Sequence, residues 1–106
     1  MTPATASADS VPPEILRPRT VRLGQVPVSR FILGGNPFSG YSHSTVERDN
    51  EMLDWYTMER VKEAFRLAEA VGVTAHVGRA DCFIIRALRE HWNEGGGFTW
   101  IAQTCP

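Results

Sequence analysis

Three short stretches hold most of the side chains that can do chemistry. The first runs Gly34-Gly35-Asn36-Pro37-Phe38-Ser39-Gly40 and on to His43. The second is His76-Val77-Gly78-Arg79-Ala80-Asp81, and the third is Gln103 to Pro106. His43 and His76 bring imidazoles, whose near-neutral pKa suits proton transfer. Arg79 brings a planar fork of donors that matches a carboxylate or a phosphate. Asn36 and Ser39 are polar groups able to orient a substrate, although both also make good turn residues. The resulting expectation is a site with His76 and Arg79 as its catalytic groups. Asn36, Ser39 and His43 would be its substrate contacts.

Each residue also has a plainer reading. Gly34-Gly35 ends an apolar run and forms a turn as readily as it admits a ligand. It fits neither the G-x-G-x-x-G dinucleotide fingerprint nor the P-loop pattern. His43 reads equally as a solvated loop histidine, and His76 as a buried structural one. Arg79 can pair internally with Asp81, which is itself placed to cap the next helix. His43, His76 and Asp81 show no spacing typical of metal ligands, so no metal is expected. His91, with Arg86, Arg89, Glu90 and Glu94 around it, reads as part of a solvated helix face.

The elements that must position these groups alternate along the chain. Thr20-Val21-Arg22-Leu23, a Gly24-Gln25 turn and Pro27-Val28-Ser29-Arg30 predict a short hairpin. Phe31-Ile32-Leu33 is a continuous apolar run that suits a buried parallel strand. A long insertion follows to Tyr56. In it, Ser44-Thr45-Val46-Glu47 has capping-box spacing, with Ser44 as the cap of a helix reaching Trp55. Thr57 can cap a second helix with Met58, Val61, Phe65 and Ala68 on one face, closed by Gly72. Val73 to Val77 predicts another strand. Asp81 caps a helix buried through Ile84, Ile85, Leu88 and Trp92, and Phe98 to Gln103 predicts a last strand. Alternation of faces puts Thr74, His76 and Gly78 opposite Val73, Ala75 and Val77. With the apolar set against helices, His76 would point to the inside of a barrel.

Strand–helix alternation of this kind builds a parallel sheet with helices on its faces. The expected fold class is therefore α/β: an N-terminal hairpin and the first three strand–helix units of a (β/α)8 TIM barrel. A closed barrel takes roughly 250 residues. At 106 residues, the chain reads as an incomplete barrel over 20–106, preceded by a flexible tail over 1–19 that is rich in Ala, Ser, Thr and Pro. In such barrels the active site lies at the C-terminal ends of the strands, which selects the three stretches above. Loops beyond about 12–15 residues often bind ligand, which favours the first.

Composition narrows the partners. A formal net charge of -1 without a basic stripe argues against nucleic acid and against a membrane surface. Apolar runs are too short to span a bilayer. Cys82 and Cys105 are far apart, which suits reduced thiols in a cytoplasmic protein. A small-molecule substrate is the partner this leaves.

The run Val21-Arg22-Leu23-Gly24-Gln25-Val26-Pro27-Val28-Ser29-Arg30-Phe31-Ile32-Leu33-Gly34-Gly35 resembles the opening of aldo/keto reductases. Those proteins begin with a hairpin containing Leu-Gly, then Val-Ser, then an apolar strand ending in Leu-Gly. Ala68-Glu69-Ala70-Val71-Gly72-Val73-Thr74 is similar to the segment leading into their second strand. The resemblance covers Thr20 to Leu88 in order of elements. It implies a barrel oxidoreductase that would use NADP, bound mostly by the second half of the barrel. The family's catalytic aspartate would fall at Val77, and no tyrosine follows it here; Tyr41 and Tyr56 precede that strand. The residues alone leave two alternatives open. One is a barrel isomerase or hydrolase using His76 and Arg79; the other is a truncated, non-catalytic product.

Overall fold

The structure, a computed structural model, describes residues 20–104. In chain order the elements are β1 (Thr20–Leu23), β2 (Val26–Ser29), α1 (Val46–Trp55), α2 (Met58–Ala70), β3 (Ala75–Arg79), α3 (Cys82–Asn93) and β4 (Thr99–Gln103). The proposed tail over 1–19 lies outside the described residues.

The barrel expectation is corrected by the sheets. β1 and β2 form an antiparallel pair, β3 and β4 a parallel pair, and among the described residues no sheet closes on itself. The run chosen as the first barrel strand does not extend. Leu33 alone bridges His76, its amide donating to Ala75 and its carbonyl accepting from Val77. Phe31 and Ile32, expected to be buried, are 59% and 38% exposed. Closure needs every strand paired on both sides, and two parallel strands with a single flanking bridge cannot supply that. The fold is a small mixed α/β arrangement.

The hairpin forms as its sequence predicts, with Leu23 opposite Val26 across the Gly24-Gln25 turn. It is tied to the approach of β3 by an exchange between Ser29 and Thr74. The Ser29 amide donates to Thr74 Oγ1 at 2.8 Å, and the Thr74 amide donates to Ser29 Oγ at 3.0 Å.

The helices follow their caps. Thr45, Thr57 and Asp81 are extended residues whose side chains accept the amides of Arg48, Arg60 and Ile84. Thr45 therefore caps α1, one residue later than the expected Ser44. α2 and α3 end alike, with Gly72 and Gly95 in the left-handed region (φ 100° and 104°). Val73 donates to Ala68, Gly72 to Glu69, Gly96 to His91 and Gly95 to Trp92, the paired bonds of a Schellman motif that glycine permits without strain. Val73 and Thr74 are thus used by the α2 cap and the hairpin tie, so β3 starts at Ala75 instead of Val73.

α2 and α3 pack on one face of β3–β4. Val61, Phe65, Ile84, Ala87, Leu88, Phe38 and Phe98 form the core, with Leu33, Met58, Ala68 and Trp100 against it. On α3 the buried stripe is Ile84, Ala87, Leu88 and His91, spaced i, i+3, i+4, i+7 as a helix face requires. Ile85 and Trp92, expected inside, are exposed. His91, expected on a solvated face, is 3% exposed; its Nε2 lies 2.6 Å from Glu69 Oε1 of α2.

Candidate functional site

The loop after Leu33 folds back over the C-terminal ends of β3 and β4. Phe38 and Ser39 donate their amides to the Gly35 carbonyl, and Tyr41 donates to Asn36 at 2.8 Å. The buried Phe38 ring anchors this turn edge-on against Tyr56 and Phe65, with centroids 4.9 and 6.0 Å away. Farther along, the Ser42 amide donates to Asp49 Oδ1 at 2.7 Å, fastening the loop to α1. Hydrogen bonds from Ser42 hold the Asp49 carboxyl below the usual carboxylate range.

Four of the five expected site residues meet at this mouth. Asn36 donates from its side-chain amide to His43 Nε2 at 3.1 Å. His43 sits at φ 59°, an uncommon backbone for a non-glycine residue. Ser39 donates to Asp81 Oδ2 at 3.4 Å, while Asp81 Oδ1 accepts the Ile84 amide at 2.8 Å. Arg79, the last residue of β3, donates to the Tyr41 hydroxyl and lies over the Tyr41 ring, 4.8 Å from its centroid. The plainer alternative, an internal Arg79–Asp81 ion pair, does not form, and among the described residues no carboxylate bridges Arg79. A cleft of about 790 Å³ is lined by Gly34, Gly35, Asn36, Val77, Ile101 and Gln103, and of the four site residues Asn36 is the one that reaches it.

His76 is not part of that mouth. Its ring faces the helices, opposite to the direction expected, and is fully buried. It packs on Phe65 at 5.1 Å, Phe38 at 6.0 Å and Phe98 at 6.3 Å between centroids. The ring lies along the strand over Gly78, where a Cβ would collide with Nε2. Nδ1 is 2.9 Å from the Leu33 carbonyl, which only accepts, so Nδ1 carries the proton and donates. Nε2 has no partner among the described residues. Burial pushes the His76 pKa below its ordinary value, with the Leu33 bond opposing, so the ring is neutral near pH 7.

Tyr41 is the residue that sequence reasoning missed. The available signal was an aromatic with a polar tip between Gly40 and Ser42, inside the loop already singled out. Gln103 was placed in the third stretch by the strand-end rule, and it pairs with Arg79 across the ladder.

Two tests of bound groups follow from the geometry. Gly34-Gly35 leads into turns and not into a helix N-terminus, since α1 begins only at Val46. Gly34-Gly35 therefore does not form the phosphate cradle of a nicotinamide dinucleotide. Among the described residues no three His, Cys, Asp or Glu side chains are grouped to hold a metal ion, and no described helix is long and apolar enough to cross a membrane. Cys82 is exposed, with a free thiol. No family model, no curated protein and no solved structure matches the chain.

Proposed function

We propose that this chain binds a small anionic molecule, one carrying a carboxylate or a phosphate, at the mouth of β3 and β4. Arg79 is the group that holds the anion. Asn36 and His43 orient the rest of the molecule from the facing loop, and Ser39 lies beside them. The observation that carries this reading is the state of Arg79. Its guanidinium stands at the end of β3, stacked on the Tyr41 ring, with no carboxylate bridging it among the described residues, and its ladder partner Gln103 lines the cleft. A fork of donors left in this way is complementary to an incoming oxyanion. Asp81, the nearest acidic residue in sequence, is engaged twice, by the Ile84 amide at the α3 N-terminus and by Ser39. The helix dipole there offsets part of its charge.

The test is a titration of the ¹⁵N-labelled chain with inorganic phosphate and with a short dicarboxylate, followed by calorimetry. Saturable shifts centred on Asn36, Tyr41 and Arg79 are expected. Arg79→Ala should weaken binding at least tenfold, the order of one charge-assisted bond. Arg79→Lys should not restore it, because a point charge replaces the fork. Binding that survives Arg79→Ala unchanged would refute the reading.

A further inference from the structure

The outer edge of β4 is a surface to which the anion reading gives no partner, although Ile101 and Gln103 of that strand also line the cleft. β4 pairs only with β3 among the described residues, so its other side is an open edge. The hydrogen bonds fix which groups lie there. Thr99 donates to Thr74, and Gln103 accepts from Ala80, so both turn toward β3. Main-chain groups alternate along a strand. Trp100 and Ala102 therefore direct their N–H and C=O groups to the open edge, with Ile101 between them turned inward.

Within the strand itself, this edge carries none of the sequence features that usually blunt a sheet edge. Thr99-Trp100-Ile101-Ala102-Gln103 contains no charged residue, no proline and no bulge, the devices that blunt an edge. The half-buried Ile101 and Val77 continue as an apolar strip on the face away from the helices. With a net charge of -1, long-range repulsion between copies is weak.

We infer that β4 pairs with β4 of a second copy, antiparallel, about a two-fold axis through Ile101. The arrangement is self-complementary. With Ile101 opposite Ile101 of the other copy, Trp100 falls opposite Ala102 in both directions. In an antiparallel ladder such a pair exchanges both N–H···O bonds. All the outward groups of Trp100 and Ala102 are then satisfied, and the isoleucines meet as the close, non-hydrogen-bonded pair. The two β3–β4 pairs join into one four-stranded sheet. A second copy is favoured over an unrelated extended peptide because one register satisfies both partners with identical residues, the isologous contact of two-fold dimers. Five residues a side is well short of the roughly 20–30 a side of stable interfaces, so the dimer is weak and concentration-dependent.

The experiment is sedimentation of the full chain from low to high micromolar concentration, in parallel with amide hydrogen exchange. A reversible monomer–dimer equilibrium is expected, with the Trp100 and Ala102 amides gaining protection as concentration rises. Ala102→Pro removes a donor that faces the edge and leaves the β3 ladder intact, a position where proline is tolerated. It should weaken the dimer at least tenfold while the circular dichroism spectrum and melting transition stay close to those of the parent. A parent chain that stays monomeric throughout, or an Ala102→Pro dimer as tight as the parent, overturns the inference. Should Ala102→Pro fail to fold, exchange in the parent decides. Protection at Trp100 and Ala102 that does not vary with concentration would mean that the edge is covered within one copy, and would equally overturn it.

Discussion

The two polar regions of this molecule treat their charges differently. Between α2 and α3 every buried charge is matched. Lys62, almost fully buried, bridges Glu59, Glu90 and Glu94 at 3.3, 3.0 and 2.7 Å. His91 meets Glu69 Oε1, and the other Glu69 oxygen accepts the Gly97 amide at 3.0 Å, which fastens the turn leading into β4. At the mouth of β3 and β4 the Asn36–His43 and Arg79–Tyr41 contacts are exposed, and Arg79 rests on an uncharged ring. Charges that neutralise one another inside a fold serve its stability, whereas a cation left at a strand end is available to something else. The contrast predicts that substitutions in the two regions separate stability from binding.

The largest effect belongs to the helix pair. His91→Ala empties a buried ring position between Phe65 and Phe98 and removes the partner of Glu69. A loss of about 2–4 kcal/mol is expected from the cavity and the orphaned carboxylate together. Urea unfolding measures it, and anion binding by the folded fraction should be unchanged. A His91→Ala chain as stable as its parent would erase the distinction between the regions.

Acid should weaken the same helix pair before it touches the mouth. The hydrogen bond from Lys62, with Arg86 adding to it, holds the Glu90 carboxyl below its ordinary value of 4.5. A group depressed by folding stabilises the native state above its unfolded pKa, and that stabilisation is lost as the pH falls through the lower folded value. The melting temperature should therefore drop as the pH goes below 4.5. Lys62→Met should flatten that drop, because the shift then loses its main cause. A pH profile of melting temperature that is the same in both chains would assign the acid sensitivity elsewhere.

The smallest effect on stability is expected at the mouth. Arg79→Ala removes an exposed stacking contact on Tyr41, worth about 0.5–1 kcal/mol at most, and should move the melting temperature little. Tyr41→Phe keeps the ring and removes only the hydroxyl that accepts from Arg79. It frees a donor of the fork and should strengthen phosphate binding modestly, as read by calorimetry. A marked loss of stability in either chain would make Arg79 a structural residue like Lys62.

How much of this was legible in the sequence depended on whether the deciding contact was local. Thr57 and Asp81 announce their helices because a cap acts over three residues, and Gly72 marks an end for the same reason. The hairpin turn is equally local. The barrel was read into the sequence wrongly, because alternating strands and helices specify a class of neighbour and not how many strands pair or whether they close. Phe31-Ile32-Leu33 has strand composition, yet only Leu33 found a partner.

The face of His76 failed for a related reason. Parity divides the strand into two sets and does not say which set the helices cover. The polar set was assigned away from them, but Gly78 belongs to that set and gives the imidazole room to lie along the strand against Phe65 and Phe98. His91 looked solvated because charged residues flank it in sequence, although its spacing from Ile84 put it on the buried stripe. Asn36, Ser39, His43 and Arg79 were located by the rule that loops after parallel strands gather at one end. Their actual partners, such as Tyr41 for Arg79 across 38 residues, follow only from the folded loop.

The exchange between Ser29 and Thr74 has a consequence in time as well as in space. It joins groups 45 residues apart, whereas the helix caps join neighbours. A two-stranded hairpin is marginal on its own, and closing so long a loop costs entropy that local contacts never meet. The clasp should therefore form late in folding and open early in unfolding, releasing β1 and β2 while α2 and α3 remain packed. The Ser29 and Thr74 amides would then exchange with solvent together and ahead of the core. Such paired exchange would mark the hairpin as a separate unit of cooperativity, a reporter of partial opening built from two hydroxyls.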